Sequence, residues 1–251
     1  MADTWPDGVG RIILDEVDST SRFLKETDVP VPVWCLAKMQ TAGQGRRGRA
    51  WAFQSGNFAA SLRMAPAGGL PVFARYSFVA ALALHDALAA ATGAGDRLGL
   101  KWPNDVLLDC KKTCGILLES SEGAHGTDLV VGIGVNLAVA PSAAEVEPGA
   151  VEPGSVEALT GRRVPPAAFL DMLAPRFAAW STRMECDGFA WIRDAWRARA
   201  VGLGSRIVAR LPNATHEGIF EDIDADGALM LRTGRKLLVL PAADVYFAAT
   251  Q

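Results

Sequence analysis

The chain has little of what marks a secreted, membrane-spanning or generally polyanion-binding protein. Its 251 residues include four cysteines, Cys35, Cys110, Cys114 and Cys186, too scattered for the disulfide framework on which small extracellular folds depend. Cys110/Cys114 is the only close pair, with only the single histidines His85, His125 and His216 elsewhere. No tetrahedral metal pattern results. Nor is there a cationic excess, since 25 Lys and Arg against 28 Asp and Glu leave a net charge of −3. Any polyanion must therefore be met by a local cluster of cations. The longest apolar run, residues 78–84, ends at His85-Asp86, well short of the ~20 residues of a spanning helix. The first residues, Met-Ala-Asp-Thr-Trp-Pro-Asp, are acidic where a secretory signal would be basic. These absences predict a cytoplasmic protein with reduced thiols and no membrane partner.

Half of the residues are hydrophobic and 21% are charged, enough apolar side chain for a sizeable core. Short strands are expected over residues 11–16, 33–39 and 57–64, with Asp18-Ser-Thr-Ser offering capping oxygens for a helix start. Phe73, Tyr76, Ala80, Leu84 and Leu88 recur at helical spacing, which predicts a helix over 71–91 closed by Gly93. Strands follow over 115–120 and 129–135, then a loop over 141–166. Helices are predicted over 167–180 and 189–199, the first bent or ended by Pro175. From Gly204 the texture turns to short alternating segments separated by Asp226-Gly227 and Thr233-Gly234, which predict hairpin turns. The chain thus divides into a mixed α+β domain over 1–202 and a small β-barrel over 203–251.

Four stretches carry chemistry. In Gln40-Thr-Ala-Gly-Gln-Gly-Arg-Arg-Gly-Arg-Ala-Trp51, glycines 43, 45 and 48 satisfy the dinucleotide-binding count. However, no helix pattern opens after them, and Arg63, Met64 and Ala65 stand where an acidic residue is required. What remains is a glycine loop bearing Arg46, Arg47 and Arg49. Exposed backbone N–H groups and guanidinium forks suit phosphate or carboxylate, although a bare solvated turn is equally compatible. Lys101-Trp-Pro-Asn-Asp105 presents Asn104 and Asp105 from a constrained turn, either as ligands to Mg²⁺ or a polar group or as a simple Asx turn. Lys112 stands just before a strand whose Gly115 leaves room for a close approach. Gly-Ile-Gly-Val-Asn136 ends an apolar strand in an amide that needs partners.

In their order and spacing, Asp18-Ser-Thr-Ser, the Gln40–Trp51 loop, Lys101-Trp-Pro-Asn-Asp, Lys112-x-x-Gly-Ile-Leu and Gly-Ile-Gly-Val-Asn resemble the biotin protein ligases. The resemblance covers residues 11–137. The terminal segment is similar to the family's SH3-like domain. The resemblance implies a mixed-sheet catalytic domain and a two-step reaction that takes ATP, Mg²⁺ and biotin. Biotin is first activated to biotinyl-5′-adenylate, then transferred to a lysine of the biotin carboxyl carrier domain of a carboxylase such as acetyl-CoA carboxylase.

Carried over by position, the resemblance gives Ser19, Thr20, Gln40, Gly43 and Gly115 to the biotin ring and Arg46 to its carboxylate and then to the adenylate phosphate. Lys112 falls on the reacting centre. Arg47, Arg49, Trp51, Lys101, Asn104, Asp105 and Asn136 fall to the nucleotide, with Asp105 also toward Mg²⁺. Arg46, Asp105 and Lys112 are the catalytic set. Gln44 departs from the family, which usually has arginine there, so a looser hold on ligand is expected. About ten residues precede the first strand, too few for the DNA-binding domain of some relatives, so no operator binding is expected; homodimer formation is left open. A lipoate or octanoate ligase or transferase would show three consecutive glycines after Arg-Arg. A non-catalytic biotin binder would not need both Arg46 and Lys112.

Overall fold

The computed structural model describes residues 4–123, 126–142, 145–147 and 149–247; His125 lies outside them. The chain opens with β1 (Gly10–Val17), α1 (Thr20–Glu26) and β2 (Val33–Gln40), with β1 parallel to β2. It continues through β3 (Phe58–Met64), the short α2 (Leu70–Phe73), α3 (Tyr76–Thr92), β4 (Leu98–Lys101), β5 (Asp105–Leu108), β6 (Lys111–Gly123) and β7 (Gly126–Val135). These strands form one mixed seven-stranded sheet in the order β1-β2-β3-β7-β6-β5-β4. Next come α4 (Val156–Thr160), α5 (Pro166–Asp187) and α6 (Phe189–Arg197). Strands β8 (Arg206–Arg210), β9 (Thr215–Ile223), β10 (Leu229–Thr233), β11 (Lys236–Leu240) and β12 (Asp244–Phe247) then build an antiparallel sheet in the order β11-β10-β9-β8-β12. The result is the α+β architecture expected, with a small SH3-like sheet at the C-terminal end.

The core explains α3. Its predicted stripe is buried, but so are Val79, Ala81, Leu82 and Ala83 on its other sides. Alanine-rich turns let α5 and α6 approach from one side and β4–β7 from the other, so the helix is apolar all round because it is enclosed all round. Residues 70–92 are long and apolar enough to cross a membrane, yet most of that segment is buried inside the fold. Pro175 does not end α5, which runs on to Asp187, so the helix end expected near 180 is corrected. Buried Phe169, Leu170 and Leu173 before the proline and Phe177 and Met184 after it pack the helix along both halves, which offsets the hydrogen bond that proline removes.

Arg63 carries a cation into the interior. Arg63 on β3, 6% exposed, donates Nε to Asp128 Oδ2 at 2.8 Å, Nη1 to the carbonyls of Leu24 (2.8 Å) and Thr27 (3.1 Å), and Nη2 to that of Glu122 (2.8 Å). Leu24 and Thr27 are the C-terminal turn and cap of α1, so the guanidinium anchors the helix through carbonyls that lack helical partners.

The second sheet is fastened to the first. Trp102 Nε1 donates to Gly227 O at 2.9 Å, and Arg75 pairs with Asp226 at 2.8 Å. Gly227 has φ +86°, and a Cβ there would stand 2.6 Å from Phe78, so the β9–β10 turn is glycine both for its backbone and for its close approach.

Candidate active site

Between the two sheets lies a cavity of about 390 Å³, within the range of small-ligand sites. It has a neutral end and a cationic end.

The neutral end begins where α1 starts. Ser19 caps the helix, its Oγ accepting from Arg22 N at 3.4 Å. Thr20 N donates to Gln40 Oε1 at 3.0 Å, and Thr20 Oγ1 donates to the same oxygen at 3.3 Å. Thr20 Oγ1 also shares a 2.7 Å hydrogen bond with Ser61 Oγ, which shares another of 2.9 Å with Ser21 Oγ. Ser61 is wholly buried and Thr20 and Ser21 nearly so, which fixes their hydroxyls as a preorganised set of neutral donors and acceptors. Gly132 completes this wall, since a Cβ there would meet Ser21 Oγ at 2.8 Å. Ser21 and Gly132 fall within stretches picked out from the sequence but carry no role there, and Ser61 falls outside all of them. Ser61 reads as one small residue in a strand, and only three-dimensional pairing reveals its partners.

The middle of the cavity is a flat seat. Gly115 on β6 and Gly134 on β7 are direct register partners, and the indole of Trp51 lies across both. A Cβ would meet it at 2.8 Å from Gly115 and 2.4 Å from Gly134. The two glycines thus accommodate the ring, and Lys112 Nζ stands 6.0 Å from its centroid.

At the cationic end, β5 presents Asp105 between two lysines. Lys112 Nζ is 2.7 Å from Oδ1 and Lys101 Nζ is 3.6 Å from Oδ2. Burial favours protonation of Asp105, but Lys112 and Lys101 outweigh it and hold the carboxyl below its ordinary range. Burial pushes Lys101 down more than Asp105 lifts it. Burial likewise depresses Arg46 against the opposing pull of Asp244 and Asp105, so its cation is held out of water and receptive to an anion. Asn104 Nδ2 donates to Ile116 O at 2.5 Å, and Asn136 Nδ2 donates to Gly154 O at 3.2 Å. Asp105 Oδ1 is buried, and the lysine touches it at an angle that makes no hydrogen bond. Among the described residues no cluster of three or more His, Cys, Asp or Glu could hold a metal ion. This donor set fits Mg²⁺ only as a companion of a polyphosphate, held by one carboxylate, phosphate oxygens and water.

Of the residues singled out from the sequence, Ser19, Thr20, Gln40, Arg46, Arg49, Trp51, Lys101, Asn104, Asp105, Lys112, Gly115 and Asn136 line this cavity. Gly43 and Arg47 are not on its wall. Gly43 sits behind Gln40, where a Cβ would be 2.4 Å from Nε2; Arg47 turns toward the C-terminal sheet and pairs with Asp244 at 2.9 Å. Asp244, Tyr246, Glu145 and Glu147 do line it and had no signal in the sequence, because nothing local announces that distant segments meet there. Gln44 lies at the wall and bridges to Ala50. A Gln44→Arg chain is expected to release a bound acyl-adenylate ~2–5-fold more slowly, the yield of one partly exposed charge pair; an unchanged dissociation rate would remove Gln44 from ligand retention.

Lys101 supplies a pH prediction. Its proton leaves at a lower pH than the ~10.4 of a free lysine, and with it goes the attraction to Asp105, whereas Asp105 stays ionised until well into acid. Turnover is therefore expected to fall on the alkaline side, with no acid limb from Asp105 between pH 5 and 8. In Lys101→Arg, whose guanidinium does not titrate, the alkaline limb should move upward. A limb in the same place in both proteins would assign it elsewhere.

The cavity sets neutral hydroxyls and amides at one end and cations at the other, a pairing suited to a small acid with an uncharged head and to a polyphosphate. Residues 13–136 match the biotin/lipoate A/B protein ligase family, and residues 202–248 match the biotin protein ligase C-terminal domain. The chain is 55% identical over 215 residues to a biotin–[acetyl-CoA-carboxylase] ligase of Paracoccus denitrificans, covering 85% of this chain and 90% of that one. It is 30% identical to the bifunctional ligase/repressor BirA of Bacillus subtilis, covering 93% and 71%. The solved biotin protein ligase of Aquifex aeolicus in complex with biotin and ATP superposes with a TM-score of 0.84 at 25% identity, over 95% of this chain and 99% of that one. The chain belongs to the biotin/lipoate A/B protein ligase family and, within it, to the biotin protein ligases.

Proposed function

We infer that this protein joins biotin to ATP as biotinyl-5′-adenylate and passes the biotinyl group to a lysine of a carboxylase's biotin carrier domain. The observation that carries this reading is one cavity with a neutral hydroxyl-and-amide cradle at one end and Arg46, Lys101 and Lys112 around Asp105 at the other. The cradle suits an uncharged ureido ring, whose N–H and C=O groups need fixed partners. The cations suit a carboxylate and a triphosphate that would otherwise repel each other.

In the first step a biotin carboxylate oxygen attacks the α-phosphorus. The bond from that phosphorus to the bridging oxygen breaks, and pyrophosphate leaves. Lys112 would meet the charge that builds on the transferring phosphoryl group, and Arg46 would hold the carboxylate and then the adenylate phosphate. Asp105 would hold Mg²⁺ arriving with the nucleotide, and that ion would neutralise phosphate charge. Trp51, laid over Gly115 and Gly134, covers the middle of the cavity and limits water there. In the second step the neutral amine of the acceptor lysine attacks the acyl carbon, the bond to the phosphate oxygen breaks, AMP leaves, and the nitrogen gives up a proton. A biotin carrier domain is the acceptor by analogy with the reaction named for the Paracoccus relative.

We read residues 1–202 as the catalytic domain and 203–251 as a small C-terminal one, a division supported by Asp244 and Tyr246 of the second sheet lining the cavity. The expected result with ATP, labelled pyrophosphate and an acid is exchange that depends on biotin. Exchange that depends on lipoate would make the protein a lipoate ligase, and none with either would make it a binder.

A further inference from the structure

Asp244 lies on β12, in the other sheet from the groups assigned to the reaction, yet it stands at the mouth of the cavity with its side chain 14% exposed. Three guanidinium groups converge on it. Arg47 Nη1 and Arg49 Nη2 each lie 2.9 Å from Oδ2, whereas Arg46 Nη1 lies 3.5 Å from Oδ1. We propose that Asp244 is a positioning residue: by clamping Arg47 and Arg49 it fixes the glycine loop in the form that leaves Arg46 open to the cavity, and so retains the acyl-adenylate. The proposal rests on the ligase reading above.

The unequal distances carry the argument. The two short ion pairs go to the flanking arginines, and the long one goes to the arginine that faces the ligand. Arg46 is otherwise steadied by its bond to Ala243 O at 3.2 Å, which leaves donors of its five-donor fork for an anion. The loop needs an outside hold because Arg47 sits in the left-handed region, φ 56° and ψ 31°, which a residue with a side chain adopts only where its surroundings impose it. That hold comes from the C-terminal sheet, since Arg47 also points Nη2 at Arg210 O. Arg49 reaches Glu147 at 2.7 Å, and Tyr246 OH donates to the same carboxylate at 3.2 Å. Two carboxylates, Asp244 and Glu147, among three guanidinium groups still leave a cationic surplus for phosphate.

The test compares the whole chain with Asp244→Asn and Asp244→Glu. With preformed labelled biotinyl-adenylate chased by unlabelled biotin, Asp244→Asn is expected to speed release ~10-fold, with a similar rise in the KM for ATP. Biotin alone meets Arg46 only through its carboxylate and is otherwise held by the hydroxyl cradle, so its Kd should rise by less than the change in adenylate release, ~2–3-fold. Asp244→Glu should recover most of the retention. Without any ligand, trypsin should cut the Arg46–Arg49 segment ~10-fold faster in Asp244→Asn. Equal cleavage and equal release would overturn the proposal. Tighter ATP binding by Asp244→Asn would also overturn it, by making Asp244 a competitor for the anion site, and so would a parallel loss of biotin affinity. A wild-type chain that makes no adenylate would instead refute the ligase reading, and trypsin would still judge the clamp.

Discussion

Replacing Lys112 by methionine is expected to lower biotin-dependent pyrophosphate exchange by about 10²–10³-fold, the usual effect of removing one preorganised charge from a developing anion. The side chain is a third exposed, enough to reach a ligand, and its ammonium is 2.7 Å from Asp105. Its backbone is fixed on both sides, with Lys112 N donating to Glu152 O at 2.8 Å and Gly154 N donating to Lys112 O at 3.0 Å. Methionine keeps the apolar stem and the strand, so the loss should fall on kcat. Biotin affinity should change less than kcat, since Lys112 meets only the reacting carboxylate and the hydroxyl cradle holds the ring. Asp105 would keep Lys101, at 3.6 Å, and the more distant Arg46, and with a weaker counter-charge its carboxyl should titrate higher than in the parent. Steady-state exchange kinetics decide the matter, and a Lys112→Met protein within tenfold of wild type would take this lysine out of the reacting centre.

Arg63→Met should produce the largest change in stability. Asp128 would be left as an uncompensated buried charge and the carbonyls of Leu24, Thr27 and Glu122 would each lose a donor. Breaking a buried pair from one side costs ~3–5 kcal/mol, and at ~2–4 °C per kcal/mol for a chain of this size the melting temperature should drop by about 10 °C. The damage should also reach the cavity, because the helix this arginine anchors at one end offers Ser19 and Thr20 at the other. Biotin binding should therefore weaken at temperatures where the fold is intact. Thermal unfolding followed by circular dichroism, with biotin titration at 15 °C, tests both parts. A melting point within 2 °C of the parent would show that the buried pair contributes little.

Much of this was legible before any coordinates. The helix over α3 follows from Tyr76, Ala80, Leu84 and Leu88 at their spacing, and the terminal hairpins from Asp226-Gly227 and Thr233-Gly234. The glycine loop, the Lys101–Asp105 turn and Lys112 could be picked out because unusual residue types crowd together along the chain. What escaped was short or distant. Strands β4, β5 and β12 have four residues each, too few to show a period. The helix turn at Val156–Thr160 hid in a region read as loop, although Ser155 caps it by accepting from Ala158 N. Pro175 carried more weight in the sequence than in the fold, because packing on α3 outweighed a single missing hydrogen bond. Ser61 and Asp244 are ordinary residues by themselves. Their significance comes from Thr20 forty-one positions away and from Arg49 nearly two hundred positions away, relations that no local pattern encodes.

That the cavity takes its walls from both Ser19 and Asp244 sets an order of events during translation. A ribosome releases the hydroxyl cradle early, and the first sheet can fold around it while the rest is still being made. The carboxylate that gathers the arginines emerges more than a hundred codons after Gly132, the last residue of that cradle to be made. A nascent chain can therefore recognise its vitamin before it can grip the reactive anhydride made from it, and premature termination ahead of β12 would yield a protein that forms that anhydride only to shed it.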